Sequence, residues 1–464
     1  MLVKQNEKLL LFPIETLVRE LDCRLILAVL CAKRGWHILL GEHEEIFKIS
    51  VHIRNAVQVL KNVTGGKRPW KYARYKQLGQ RIICLDEEGG IYGGTEESWR
   101  SLLDNRLDVR RLGSDDYVCT WGAFQADHYL SLKPVCSPNV KVTGHPRFDL
   151  GKPEFRELFR EESELLLKEH GDFILINTSF HSNNISGPDV LLNHFKVSPE
   201  STGERSRRIE HYVHDNQLFA RTIGLINHLS NAFPNHRIIV RPHPSEDSRT
   251  YQTMLRHIPR TLVLRGGSLH AWLLASKVLI HGGCTTAIEA HQCGTPIINF
   301  RPLSDPRFEV GLPHLVGVSC SSYEDVAQAI QTILNGSTAP FVDEEKSQPL
   351  RNVLANFDPS SNAFQALATV IDHCQNETIE ESQSDGLKGF ISLLMQHTSH
   401  MLFSILPKLK QRFLNRPRGT EKFPPLNRSE IINKLNIISS IVGRSVKIKF
   451  IGARVISVRL DESS

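Results

Sequence analysis

A chain of 464 residues is too long for one compact core, so two domains plus an extension are expected. Its 40% hydrophobic and 23% charged content is that of a soluble globular protein, and a net charge of +6 suits anionic substrates without arguing for nucleic acid. The nine cysteines, at 23, 31, 84, 119, 136, 284, 293, 320 and 374, form no CxxC pair, which argues against a disulfide framework or a zinc site and for a reducing compartment.

The opening MLVKQNEKLLLFPIETLVREL holds an apolar run too short for a signal peptide, and no stretch of 18 apolar residues follows, so a cytoplasmic protein without a membrane span is expected. Residues 8–13 predict a strand, Glu15–Arg34 an amphipathic helix stopped by Gly35, and Trp36–Leu40 a second strand. This alternation continues through strands at Ile82–Leu85, Tyr117–Thr120 and Val140–Thr143 and predicts a parallel α/β sheet. The sequence TGHPRFDLG (143–151) then leads into a charged helix, Pro153–His170, and marks a boundary between a domain of residues 1–145 and one of residues 146–375. In the second, strands are predicted at Phe173–Asn177, Arg237–Arg241, Thr261–Leu264, Val278–His281 and Pro296–Phe300. Helices are predicted at 209–232, 268–276, 285–293, 323–335 and 361–374, and the polar segment 182–208 reads as a surface loop.

Residues 376–464 read as an extension. It opens with the polar, acidic linker 375–386. Apolar residues from Phe390 to Phe413 then recur at helical spacing, next to Lys408, Lys410, Arg412, Arg416 and Arg418. Such a helix over 388–418 suits either the inner-membrane surface or a docked protein face. Residues 427–460 predict a helix and two strands, with no function attached.

The two halves predict Rossmann-type domains with parallel sheets facing a central cleft, and ligands of such sheets lie beyond the carboxyl ends of the strands. Five motifs sit there. Asp86-Glu87-Glu88-Gly89-Gly90 crowds three carboxylates, which raises at least one pKa and suits acid or base work; glycine lets backbone approach a substrate, and a solvated acidic turn is the plain alternative. Arg241-Pro242-His243-Pro244 fixes an imidazole and a guanidinium where both can meet a phosphate, unless it is only a Pro-rich turn. His281-Gly282-Gly283-Cys284-Thr285-Thr286 enters a helix and forms an anion cradle, with Glu289 one turn on, either reaching a ribose hydroxyl or serving a cap. Asn177-Thr178-Ser179 can hold a phosphate or a base edge, or be a plain turn. In Gly144-His145-Pro146-Arg147-Phe148-Asp149, Arg147 can pair with a sugar carboxylate, and Asp149 is either a nucleophile or a cap for the helix beginning near Pro153.

The acidic loop Asp86–Gly89, the dipeptide His243-Pro244 and the pair Thr285-Thr286 resemble bacterial CMP-sialic acid transferases and polysialyltransferases. The segments KLLLFPIETLVREL, LDEEGG, GHPRFDL, ILINTSF and RPHPSED resemble more closely the surface carbohydrate biosynthesis proteins related to retaining β-Kdo transferases, over roughly residues 8–375. The resemblance implies a GT-B-type fold, no required metal or other cofactor, and a cytidine nucleotide held mainly by the second domain. It also implies that His243 contacts the CMP phosphate, with Thr285 and Thr286 lining the same pocket, that Glu87 or Glu88 is the acid/base group, and that Asp149 is the nucleophile of a retaining reaction. The expected partners are a nucleotide-sugar donor and a polysaccharide or glycolipid acceptor. A UDP-sugar transferase, a 2-epimerase or a polyol-phosphate transferase fits the same architecture, and a non-enzymatic scaffold is the reading from another class.

Overall fold

A computed structural model describes residues 7–64, 70–90, 92–132, 138–185, 187, 202–336, 344–374 and 423–461. It divides into two compact units. The first takes Met1–Gly89, Leu103–Asp149 and Val353–Ser464, the second Gly90–Leu102 and Leu150–Asn352.

The first unit is laid down as β1 (Leu9–Ile14), α1 (Leu17–Lys33), β2 (His37–Glu42), α2 (His43–Ser50), β3 (Val57–Leu60), α3 (Trp70–Gln77), β4 (Arg81–Leu85), α4 (Glu96–Arg106, shared with the second unit), β5 (Tyr117–Thr120), α5 (Ala123–Ser131) and β6 (Asn139–Val142). Leu9 to Phe12 are buried without a break, the mark of a central parallel strand covered on both faces. The strands run β2-β1-β3-β4-β5-β6, all parallel. Since β2 lies on one side of β1 and β3 on the other, the order reverses between β1 and β3. β3 escapes a reading by alternation because VQVL is four residues long, and its polar Gln58 is buried on a hydrogen bond to Gln80.

The second unit follows as α6 (Glu157–His170), β7 (Phe173–Asn177), α7 (Thr202–Ala232), β8 (Arg237–Arg241), α8 (Ser248–Met254), β9 (Thr261–Val263), α9 (Leu269–Ala275), β10 (Val278–His281), α10 (Thr286–Cys293), β11 (Ile297–Phe300), β12 (Val318–Cys320), α11 (Tyr323–Leu334) and α12 (Glu344–Val353). Its parallel sheet has the order β12-β11-β10-β7-β8-β9, with the reversal between β10 and β7. Ile174, Ile176, Ile238, Val240, Ile280 and Ile298 meet Leu225 and Ile226 of α7 and Val326 of α11 in one core. The start of α11 is fixed by a capping box between Ser322 and Asp325. Both sheets are thus of the expected parallel α/β type, and the surface insertion or loop expected over 182–208 gives way to helix from Thr202.

The chain then returns to the first unit. α13 (Ala363–His373), assigned by the sequence division to the second domain, packs on α1 and places Asp372 against Arg34 (2.8 Å) and Trp36 (2.8 Å). The segment read as an extension does the same. α14 (Arg428–Val442) lies on α1, with Lys434 Nζ 2.6 Å from Asp22 Oδ1. Strands β13 (Val446–Ile451) and β14 (Val455–Leu460) form a hairpin that pairs antiparallel with β2 and lengthens the sheet to eight strands. The helix and two strands expected here are present, as part of the first sheet. The amphipathic stretch 388–418 lies outside the described residues, among which no helix is long and apolar enough to cross a membrane.

Gly41 makes the join possible. A Cβ there would stand 2.3 Å from the Arg454 carbonyl oxygen and 2.8 Å from the Val455 Cα, both backbone atoms that cannot swing aside. Gly41→Ala is therefore expected to cost about 1–3 kcal/mol in urea unfolding and to speed proteolysis within 423–461.

Candidate functional site

In the first unit, the loops after β1, β3 and β4 meet at the sheet's reversal point, where α/β sheets hold their ligands. They enclose a cavity of ≈140 Å³ walled by Glu15, Thr16, Arg19 and Glu20, by Lys61 and Asn62, by Asp86, Glu87 and Glu88, and by Arg106. All three acids of the loop after β4 reach it, in three different electrostatic states. Glu87 is buried, with Arg24 Nη2 2.8 Å from one oxygen and His145 Nε2 3.3 Å from the other. Burial alone would raise its pKa, but His145, Arg24 and Arg147 together outweigh it and hold the carboxyl well below the usual range. Glu88 is half-buried and lowered in the same way, burial being outweighed by Arg106 (2.8 Å) and Arg19 (3.8 Å). Asp86 is raised by burial, against the pull of Arg106 at 3.3 Å.

Gly89 serves the fold and leaves no gap for a substrate. A Cβ there would fall 2.7 Å from Gln125 Nε2 and 3.0 Å from Trp121 Cδ1.

The fifth motif folds behind the first. Residues Pro146–Asp149 make a 3₁₀ turn, and Gly144, with φ +72°, brings the backbone against Asn356. Asn356 accepts from the His145 N–H (2.9 Å) and donates to the His145 carbonyl (3.0 Å) and to Asp149 Oδ1 (2.8 Å). The other oxygen of Asp149 accepts from the Ala363 N–H (2.6 Å), so this wholly buried carboxylate caps the first turn of α13 and not the helix near Pro153. The Arg147 N–H donates to His145 Nδ1 (3.2 Å), which puts the imidazole proton on Nε2, toward Glu87. Arg147 itself is buried over the rings of Phe148 (4.8 Å) and Trp121 (5.6 Å).

Glu20, which the sequence gave no reason to single out, stands in the cavity wall one turn into α1. Its Oε1 accepts from the N–H groups of Thr16 (2.8 Å) and Glu15 (3.2 Å), while Oε2 is buried and has no hydrogen-bond partner among the described residues. Burial first, and then the Glu87 charge, push its pKa up to about 7.

In the second unit, three motif residues stand side by side at the reversal point. His281 of β10 is in register with Asn177 of β7, and Asn177 with Arg241 of β8. Asn177 is buried and its Oδ1 has no hydrogen-bond partner among the described residues; neither has Nε2 of the buried His281. His281 Nδ1 accepts from the N–H groups of Gly283 (3.0 Å) and Cys284 (3.3 Å), so these two donors are spent inside the loop. Burial and the neighbouring His314 lower the His281 pKa to about 3, and burial with Arg301 lowers that of His314 to about 4; the stacked pair is neutral. Gly283, at φ +111°, is a position where a side chain would be strained and its Cβ would lie 3.2 Å from His314. The Ala287 and Ile288 N–H groups at the start of α10 donate to the Cys284 (3.1 Å) and Thr285 (3.0 Å) carbonyls, so an anion here would meet chiefly the Thr286 hydroxyl, which is buried without a partner among the described residues. Gly282 and Thr285 flank that turn, and Glu289 is buried within it.

The His243 loop is built around another residue the sequence reading missed. Glu246 is wholly buried, accepts from Thr178 Oγ1 (2.7 Å), the Tyr251 hydroxyl (2.6 Å) and the His243 N–H (2.9 Å), and so ties the 177–179 turn to the 241–244 turn. His243 Nδ1 accepts from the Ser245 N–H (3.2 Å) and lies 2.6 Å from its hydroxyl, leaving the imidazole proton on Nε2. Arg241 stacks on Trp272 (5.1 Å) and donates to the Gly266 carbonyl (2.8 Å), bracing the loop after β9. Pro244 and Ser179 are exposed. A buried acid three residues past a histidine at a strand end is the signal that could have found Glu246. Glu246→Ala is expected to cost about 3–5 kcal/mol, read by urea unfolding, because three donors lose one acceptor.

No family model and no curated protein matches the chain. Among solved structures it is similar to HepE of Anabaena in complex with UDP, at 10% identity over 79% of this chain and 98% of that one, with a TM-score of 0.38. It is also similar to the wall teichoic acid polymerase TagF (11%, 81% and 91%, TM-score 0.44) and to a UDP-N-acetylglucosamine 2-epimerase (11%, 82% and 100%, TM-score 0.46). At this level of identity the likeness is one of fold.

Proposed function

We propose that the chain is a metal-independent glycosyltransferase that moves an acidic sugar, Kdo or another nonulosonate, from a CMP-activated donor to a surface polysaccharide or lipopolysaccharide acceptor. The observation that carries this reading is the alignment of Asn177, Arg241 and His281 at the second sheet's reversal point, next to the first turn of α10 and the His243 loop. Groups of this kind suit an anion with a polar ring attached.

Breaking the bond from the anomeric carbon to the phosphate oxygen leaves negative charge on that oxygen. The Nε2–H of His243 and the Thr286 hydroxyl are fixed donors of the sort that stabilise such charge. The first unit supplies the carboxylates for proton transfer. Asp149, with both oxygens engaged and no exposed surface, is left out of the reaction. A single displacement that inverts the anomeric centre then follows, and NMR of the product is expected to show inversion; retention would return a carboxylate nucleophile to the scheme.

Two measurements test the donor site. CMP is expected to raise the melting temperature and UDP not to, since a ligand of the native state stabilises it; the reverse would move the donor to the UDP sugars. His243→Ala is expected to lose about 10²–10³-fold in turnover with urea unfolding unchanged.

A further inference from the structure

The cavity at the β1/β3 reversal holds more acid than its loop motif supplies. Among its walls Glu20 differs from Asp86, Glu87 and Glu88. It is 4% exposed, and among the described residues only one of its two oxygens is used and no cation lies within hydrogen-bond distance of the other. Glu87 is locked between Arg24 and His145, and Glu88 is bridged by Arg106 and Arg19. Asp86 also has an oxygen without a partner, Oδ2, but its Oδ1 carries Arg106 at 3.3 Å and the Glu88 N–H at 2.9 Å. A buried acceptor left without a donor costs free energy that an entering hydroxyl recovers.

We infer that Glu20 is the general base of the transfer reaction, taking the acceptor hydroxyl's proton in this cavity, with Glu87 as the fixed anion that tunes it. The inference rests on the transferase reading above. In the step, the acceptor O–H proton passes to Glu20 Oε2 and the acceptor oxygen bonds to the anomeric carbon. The bond from that carbon to the phosphate oxygen breaks, its electron pair leaving with CMP. A carboxyl that titrates near neutrality is a stronger base than one at its ordinary value and is still ionised in a useful fraction of molecules. The titratable and charged groups facing it are Arg19, Arg24 and the buried, neutral thiol of Cys23 from its own helix, Glu87, Asp86 and Glu88 from the loop after β4, Glu15 and Lys61 from the loops after β1 and β3, Arg106 of α4, and His43 of α2; His145 and Arg147 stand behind Glu87.

The test compares the full-length protein with Glu20→Gln, Glu87→Gln and Asp86→Asn, using CMP-sugar turnover against pH and urea unfolding against pH. The parent's kcat/KM is expected to rise with pH to a plateau, with an apparent pKa near 7. Glu20→Gln should lose that limb and ~10²–10⁴-fold in rate while keeping the melting shift with CMP. Glu87→Gln should move the limb to lower pH, because the negative charge that holds the Glu20 proton is gone. A folded-state pKa raised above the unfolded value means that the native state keeps a proton the unfolded chain has released. The parent should therefore lose stability relative to Glu20→Gln as pH rises from about 4.5 to 7.

A Glu20→Gln protein that keeps rate and limb, or an Asp86→Asn protein that alone loses them, overturns the assignment. So does a limb that Glu87→Gln leaves in place, since a merely structural Glu20 would not report that charge. A stability difference independent of pH removes its premise. If the parent turns over no CMP-sugar the transferase reading fails and the base role with it, while the unfolding series still shows separately whether Glu20 holds the proton.

Discussion

The first unit is organised by one ionised carboxylate kept out of water. Isolated, a buried Glu87 would protonate or unfold its surroundings; here the Arg24 guanidinium and the His145 imidazole stand on its two oxygens. That need fixes much else. Arg24 must come from the middle of α1, so the helix is bound to the loop after β4. His145 must present Nε2, so its Nδ1 is taken by the next turn of backbone. The turn is held in place by Asn356, and Asp149 beneath it anchors α13. A residue that looks catalytic from its type alone is thereby part of the support for another.

The second unit solves a related problem by gathering donors around single buried acceptors. Glu246 gathers three donors from two turns and an adjoining helix, and His281 gathers two N–H groups from its own loop. Both are buried, and His281 is neutral. What remains for a ligand is a set of oriented, fixed polar groups. Such a set costs little to reorganise when charge appears on a leaving group.

Strand ends were legible because parallel strands covered on both faces read as uninterrupted apolar runs, and the polar residues after them stand out. Asp86–Glu88, His243 and Thr286 were found that way. Glu20 was not, because an acid in the first turns of a helix reads equally well as a partner for the helix dipole, and only the fold shows that this face of α1 is covered. Glu246 was hidden for the same reason, as an acid in a polar stretch. The tail was legible as a helix with two strands, but a hairpin carries no mark of which edge it will join. Gly41, the residue that admits it, lies over 400 positions upstream and reads as an ordinary glycine at a strand end.

The pairing of β14 with β2 has a consequence for biosynthesis. At typical ribosomal speeds of about 5–20 residues per second, the edge of β2 stays unpartnered for tens of seconds while the rest of the chain is made. During that time it offers a row of unsatisfied amides and carbonyls to any other strand nearby. The nascent first unit therefore has to be shielded, or to remain loosely ordered, until translation has passed residue 460, and a reading error that loses β14 would unsettle a strand made more than 400 residues earlier.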